Sequence, residues 1–387
     1  MNCNAMSIPQ PKLLGELERC IERKTQAVAA RNTRYGSDRV KVVAYMENLG
    51  WPDLFGYDMN HFLDDAEFSI EQHLRRLIFW ADNVDDDVIS HTRLQADVGM
   101  YWDMTLFGMR IRHSRIGVPE FLPHPFQQRF DPSTLGRFSF TETGKMPDLL
   151  GKYRRMQEVA ATRYDGKISI AFPSFQRGPL DIYIQLRGYE GFIQDMAERP
   201  EDLLAMLYFL VDERLRFTQE RQKFLEEESL PESTFVADDW VNIPFISPRF
   251  FRDTVMPVYA HIREQEGPVT GFHTCGNMGA IANDLLQVFP EMTWLDASAW
   301  NDLEYHDRTV DPRIHFNTNI INTISLGDHA QEQADKLGAI RAVGAHRTVG
   351  LTAQAILNLY PPFEDTLARL NRFLGRAFNA LECASTA

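Results

Sequence analysis

Short β-rich runs alternate with longer stretches of helical spacing along most of this chain, and that alternation restricts its fold more than any other feature. Residues 40–46, 168–172, 234–237, 268–272, 292–296, 313–317 and 347–351 are rich in small, β-branched or aromatic side chains. Between and after them, segments such as 64–79, 147–160, 182–196, 200–225, 248–264, 278–289 and 363–381 place apolar side chains at helical spacing. Strands separated by helices pair in parallel, because a parallel connection needs a crossover long enough to hold a helix. About eight such units in one domain predict an α/β fold of the (β/α)8 TIM-barrel class rather than an open doubly wound sheet. No G-x-G-x-x-G or P-loop fingerprint supports the open sheet. An amphipathic helix over 13–31 precedes the first strand, so the expected organisation is an N-terminal helical arm over 1–35 and a barrel over 36–387.

The net charge of −14 opposes a nucleic-acid surface, which requires clustered Lys and Arg. Four scattered cysteines make no disulfide framework, and no apolar run approaches the length of a membrane span. Residues 1–12 lack the basic and apolar segments of a leader. A soluble, cytoplasmic protein acting on a small molecule, without nucleic acid or membrane as partner, is the expectation. The acidic run 82–87 lacks the spaced Gly and closing Glu of a calcium loop and reads as a solvated turn. Residues 89–139 show no firm period.

In a barrel the chemistry lies at the carboxyl ends of the strands. Polar residues fall there repeatedly: Glu47, Gln176 and Arg177, Asp238 and Asp239, His273 and Cys275, Asp296, Asn317 and Asn319. His273 and Cys275 stand two apart on an extended segment, so an imidazole nitrogen and a thiolate point to one side and suit zinc or another divalent metal. A zinc site takes three protein ligands, and Asp239, Asp296, Glu47 or Gln354 is expected to supply the third. Asp238 and Asp239 read as a carboxylate pair for acid–base work, with a helix cap as the alternative for one of them. Arg177 reads as a receiver of a substrate carboxylate or as half of a salt bridge. Glu47, Gln176, Trp240, Asn277, Asp296 and Gln354 are expected to bind substrate around this centre.

The series R-G-P-L (177–180), L-R-G-Y-E (186–190), A-D-D-W (237–240), I-S-P-R-F-F-R (246–252), V-M-P (255–257) and G-F-H-T-C-G-N (271–277) resembles the uroporphyrinogen decarboxylase superfamily over roughly 39–382. Within it, H-x-C-G-N is similar to the corrinoid-linked, zinc-dependent methyltransferases. The resemblance implies a zinc-activated acceptor and a methyl group delivered from a corrinoid carried by a partner protein. The tetrapyrrole decarboxylases carry an arginine-rich segment near the amino terminus, and residues 41–54 contain no arginine. The methyltransferases supply a second cysteine from the last strand, where this chain has Gly350, Leu351, Thr352, Ala353 and Gln354. Metal-assisted group transfer is therefore the expected activity; a lyase or decarboxylase of a small carboxylated substrate, and a binding module without turnover, are the alternatives.

Overall fold

The computed structural model describes residues 7–37, 39–46, 50–115, 119–121, 125–126, 136–226, 234–355 and 363–382. It has eight parallel strands, in chain order β1 Lys41–Met46, β2 Arg93–Gln95, β3 Ser169–Ala171, β4 Thr234–Ala237, β5 Val269–His273, β6 Trp294–Ala297, β7 His315–Ile320 and β8 Val349–Ala355. The principal helices are α1 Leu13–Tyr35, α2 Ala66–Asn83, α3 Met146–Arg163, α4 Pro179–Arg187, α5 Tyr189–Glu198, α6 Pro200–Leu225, α7 Met256–Glu266, α8 Ala282–Val288, α9 Leu303–Thr309, α10 Ala330–Gly344 and α11 Phe363–Ala380. An α/β fold with a long N-terminal helix and a TIM-barrel-like core is thus present.

The expected closed barrel is not seen among the described residues. Six strands form one sheet in the order β1-β8-β7-β6-β5-β4, and β2 pairs only with β3. At the β3–β4 side a bridge nearly joins the two: Ala237 N donates to Gln176 O at 2.9 Å and Gly178 N to Ala237 O at 2.6 Å. At the β1–β2 side the described residues form no ladder. The free edge of β1 is met instead by the acidic turn, where Asp87 N donates to Val42 O at 2.9 Å.

That turn corrects the expectation of a solvated loop. Asp86 is 0% exposed; it accepts from Ala44 N at 3.1 Å, Trp80 Nε1 at 3.2 Å and Val88 N at 3.3 Å, and lies 2.9 Å from Lys24 Nζ. Asp87 accepts from Val42 N at 2.9 Å and from both terminal nitrogens of Arg39 at 2.6 Å, and pairs with Arg31 at 3.1 Å. Burial would raise its carboxyl pKa, but Arg39, the Val42 N–H and Arg31 hold it below the usual range. Basic residues of the arm thus clamp α1 onto the turn, which supplies donors and acceptors to a strand edge that would otherwise lack them.

Strand alternation sorts the side chains of β5–β8. Phe272, Leu295, Phe316 and Leu351 are buried in the apolar core. His273, Asp296, Asn317, Asn319 and Thr352 occupy the other face, where Asp296 meets both His273 and Asn319 and where Thr352 Oγ1 donates to Asn317 Oδ1 at 3.2 Å.

Candidate functional site

The register of β4 against β5 builds the site. Ala237 lies opposite His273, so continuing two residues along each chain brings Asp239 level with Cys275. His273 Nε2 is 3.2 Å from Asp239 Oδ1 and 3.5 Å from Cys275 Sγ. On the other side, His273 Nδ1 lies 2.6 Å from Asp296 Oδ2, and Asp296 Oδ1 accepts from Asn319 Nδ2 at 3.0 Å. One potential ligand atom from each of Asp239, His273 and Cys275 lies within 4.8 Å of the others.

The loop after β5 is fixed from beneath. Ser298 Oγ and Asn301 Nδ2 donate to Gly276 O at 2.8 and 3.0 Å, and Asn301 Oδ1 accepts from Met278 N at 2.9 Å. Gly276 must be glycine because a Cβ there would stand 2.3 Å from the Cβ of Asn242. Thr274, 0% exposed, donates to Val241 O at 3.0 Å and accepts from Gly276 N at 3.1 Å, which leaves Cys275 exposed at the surface of the loop.

Electrostatics couple these groups. Burial alone would lower the pKa of His273, but Asp239, Asp296 and Cys275 push it up to about 12. Burial raises Asp239, and His273 and Arg177 more than offset this, so it titrates below the usual carboxylate range. For Cys275 the pull of His273 is downward, yet burial and the Asp239 carboxylate leave the thiol raised. With Nδ1–H directed to Asp296, the Nε2 lone pair, Asp239 Oδ1 and the sulfur converge. A positive charge, either a proton on Nε2 or a metal ion, satisfies all three. Asp239 Oδ1 is buried with no aligned hydrogen-bond donor, which fits a position for a cation.

Asp238 and Asp239 do not form the expected carboxylate pair. Asp238 is 0% exposed and accepts from Leu180 N at 3.1 Å, Asp181 N at 2.8 Å and Tyr259 Oη at 3.0 Å, capping α4. Burial and the nearby Asp181 carboxylate push its pKa up to about 8. The cap reading thus describes Asp238, on the helix beginning at Pro179, whereas the turn at Pro248 is capped by its own Ser247 at 3.0 Å. Arg177 is also committed: Nε bonds Asp103 Oδ2 at 3.0 Å, Nη1 bonds Asp181 Oδ2 at 2.5 Å, and Cζ lies 4.6 Å from the Tyr101 ring centroid. Its ion pairs answer the salt-bridge reading rather than a free clamp for a substrate carboxylate.

Trp240 packs against Tyr189 and Phe245, with centroids 6.1 and 5.0 Å away. Asn277 shapes the loop: its N–H donates to Asn242 Oδ1 and its Oδ1 accepts from Gly279 N, both at 2.9 Å. Gln176 is exposed and takes part through its backbone oxygen. Gln354 lies on β8 opposite Tyr45. Glu47 lies outside the described residues. The sequence reading missed Asp103 and Asp181; the second lies in the first turn of α4 and pairs with Arg177, which stands just before that helix.

A second cluster, Glu16, Cys20 and Asp82, also has metal-ligand composition. Arg23 occupies it: Nη2 lies 3.0 Å from Cys20 Sγ and 2.7 Å from Asp82 Oδ1. It ties α1 to α2.

No protein-family model matches the chain, and no curated protein matches it in sequence. Among solved structures, a methyltransferase from Methanosarcina mazei is similar, with a TM-score of 0.59 at 16% identity, covering 88% of this chain and 94% of that one. At this identity the similarity is one of fold. No described helix is long and apolar enough to cross a membrane.

Proposed function

We propose that the chain is a metal-assisted group-transfer enzyme of methyltransferase type, acting on a small molecule at the strand ends. The observation that carries this reading is the convergence of Asp239, His273 and Cys275, with potential ligand atoms all within 4.8 Å of one another. Nitrogen, oxygen and sulfur donors suit zinc, and a carboxylate with a thiolate balances a divalent charge. His273 would bind through Nε2, Asp239 through its carboxylate and Cys275 through sulfur. When bound, zinc lowers the pKa of a coordinated thiol or amine and so supplies an acceptor nucleophile.

The protein's own groups prepare that event. Asp296, held by Asn319, accepts the Nδ1 proton of His273 and fixes which nitrogen faces the centre. Asp239 takes the place of the second cysteine that the resemblance implies, and its harder oxygen makes the centre a stronger Lewis acid. The reading includes a helical arm over 1–35, a barrel-like unit over 36–387, and a corrinoid carried by a partner as methyl donor. The fold similarity to a methyltransferase supports it.

The test is loss of the methylcobalamin absorption spectrum with small thiols or amines as acceptors. Turnover that depends on added zinc and is abolished in Cys275→Ser supports the reading. Metal-independent turnover of a carboxylated substrate with release of carbon dioxide would replace it with the lyase alternative.

A further inference from the structure

Where no ladder joins β1 and β2 among the described residues there is a cavity of about 320 Å³, whose lining includes none of Asp239, His273 and Cys275. Trp51, Leu77 and Trp80 give it an apolar side. Arg76, Arg93, His73 and His91 also line it, and no Asp or Glu stands among its described lining residues. In a chain of net charge −14 this is a local reversal carried by Arg76 and Arg93, with a carboxylate behind its wall, Asp86, turned to Ala44 N and Trp80 Nε1 and paired with Lys24. Three other cavities each carry at least two carboxylates, such as Asp97 with Asp103, Glu304 with Asp335, and Asp64 with Glu67.

The basic groups are arranged to donate. β2 buries Leu94 and exposes Arg93 and Gln95 on its opposite face. Arg93 makes no ion pair among the described residues, in contrast to Arg177 with its two carboxylates. His91 Nδ1 accepts from the Arg93 backbone N–H at 3.2 Å, so its proton resides on Nε2, which is left as a donor. Arg76 adds a buried guanidinium held over the rings of Trp51, Tyr57 and Phe62, with centroids 5.7, 5.6 and 4.3 Å away. Ile89, 42% exposed, lies at the edge of the cavity.

We propose that this seam cavity binds a small organic anion, a carboxylate carried on an apolar body of about the size of one aromatic ring. The carboxylate meets Arg93 and the Nε2–H of His91, and the apolar body lies against Trp51 and Trp80. A guanidinium–carboxylate contact at an open cavity is charge-assisted and can be bidentate, and the indole walls give the apolar body a surface to cover. The site is independent of the metal-centre reading, because none of its lining residues is Asp239, His273 or Cys275.

The test is a tryptophan-fluorescence titration with benzoate, benzyl alcohol and benzylamine on the full chain, with metal content measured in parallel. Benzoate is expected to bind saturably and at least about tenfold more tightly than benzyl alcohol, with benzylamine weakest. Arg93→Gln, at an exposed position, should weaken benzoate by about tenfold and leave benzyl alcohol and metal content unchanged. Ile89→Asp, which introduces a carboxylate at the edge, should abolish benzoate binding. Equal affinity for benzoate and benzyl alcohol, unchanged benzoate binding in Arg93→Gln, or no saturable benzoate signal would overturn the proposal.

Discussion

Asp296 holds the imidazole of His273 by its Nδ1 at 2.6 Å, while Asn319 holds the other oxygen of the same carboxylate at 3.0 Å. This chain of contacts runs across three adjacent strands, β5, β6 and β7, and fixes the ring before any ligand arrives. Asp296→Asn removes the acceptor charge and permits the wrong tautomer, so zinc affinity should fall by about 10–100-fold while the fold survives. Asn319→Ala should produce a smaller loss in the same direction. Zinc titration against a competing chelator measures both; unchanged affinity in Asp296→Asn would remove its positioning role.

The close approach of α4 to β4 makes a separate demand. A Cβ on Gly178 would stand 2.3 Å from Asp238 Oδ2 and 2.5 Å from its Cβ, in a fully buried setting. Gly178→Ala should therefore destabilise the protein by about 1–3 kcal/mol through overpacking and loss of the cap. Urea denaturation at neutral pH reads the change.

Lys24 and Asp86 are a buried ion pair joining the arm to the turn before β2. Lys24→Met leaves the carboxylate without its countercharge, and the expected cost is about 3–5 kcal/mol. Because Asp86→Asn also removes the charge that Lys24 balances, Lys24→Met with Asp86→Asn should be less destabilising than the sum of the single changes. Additive losses in a double-mutant cycle would show that the two residues act separately.

His306, which pairs with the Asn301 that holds the loop after β5, gives a pH signature of stability. It is 0% exposed, its Nε2 pairs with Asn301 Oδ1 at 2.9 Å, and burial lowers its pKa to about 4. The unfolded chain, with an ordinary pKa of about 6.5, binds more protons between these values, so stability falls as pH falls through this window. His306→Gln should flatten that part of the stability curve, as measured by urea midpoints from pH 7 to about pH 4.

Much of the β/α alternation was legible because long helices and buried strands each impose a period on the sequence. The 200–225 helix, for instance, is observed as Pro200–Leu225. Strand β2 was not: Arg93–Gln95 is three residues long with only Leu94 buried, too short to display alternation. The helix expected over 182–196 is two, α4 and α5, because Gly188 takes φ 81° between them. His273 and Cys275 meet at the expected spacing of two, but β5 ends at His273 and Cys275 lies in the bend after it, whereas the choice of Asp239 over Asp238 depends on which carboxylate the α4 N-terminus captures. The buried Asp86 was opaque for a similar reason, since its partner Lys24 lies on a distant helix.

The central claim concerns the cation that Asp239, His273 and Cys275 would share, and metal analysis of untagged protein purified without chelators tests it most directly. About one zinc or comparable divalent ion per chain is expected, retained on dialysis and largely lost in His273→Ala, Cys275→Ser and Asp239→Asn, with each variant still folded by circular dichroism. Wild-type protein that stays metal-free after incubation with zinc, or metal content equal in wild type and all three variants, would contradict it.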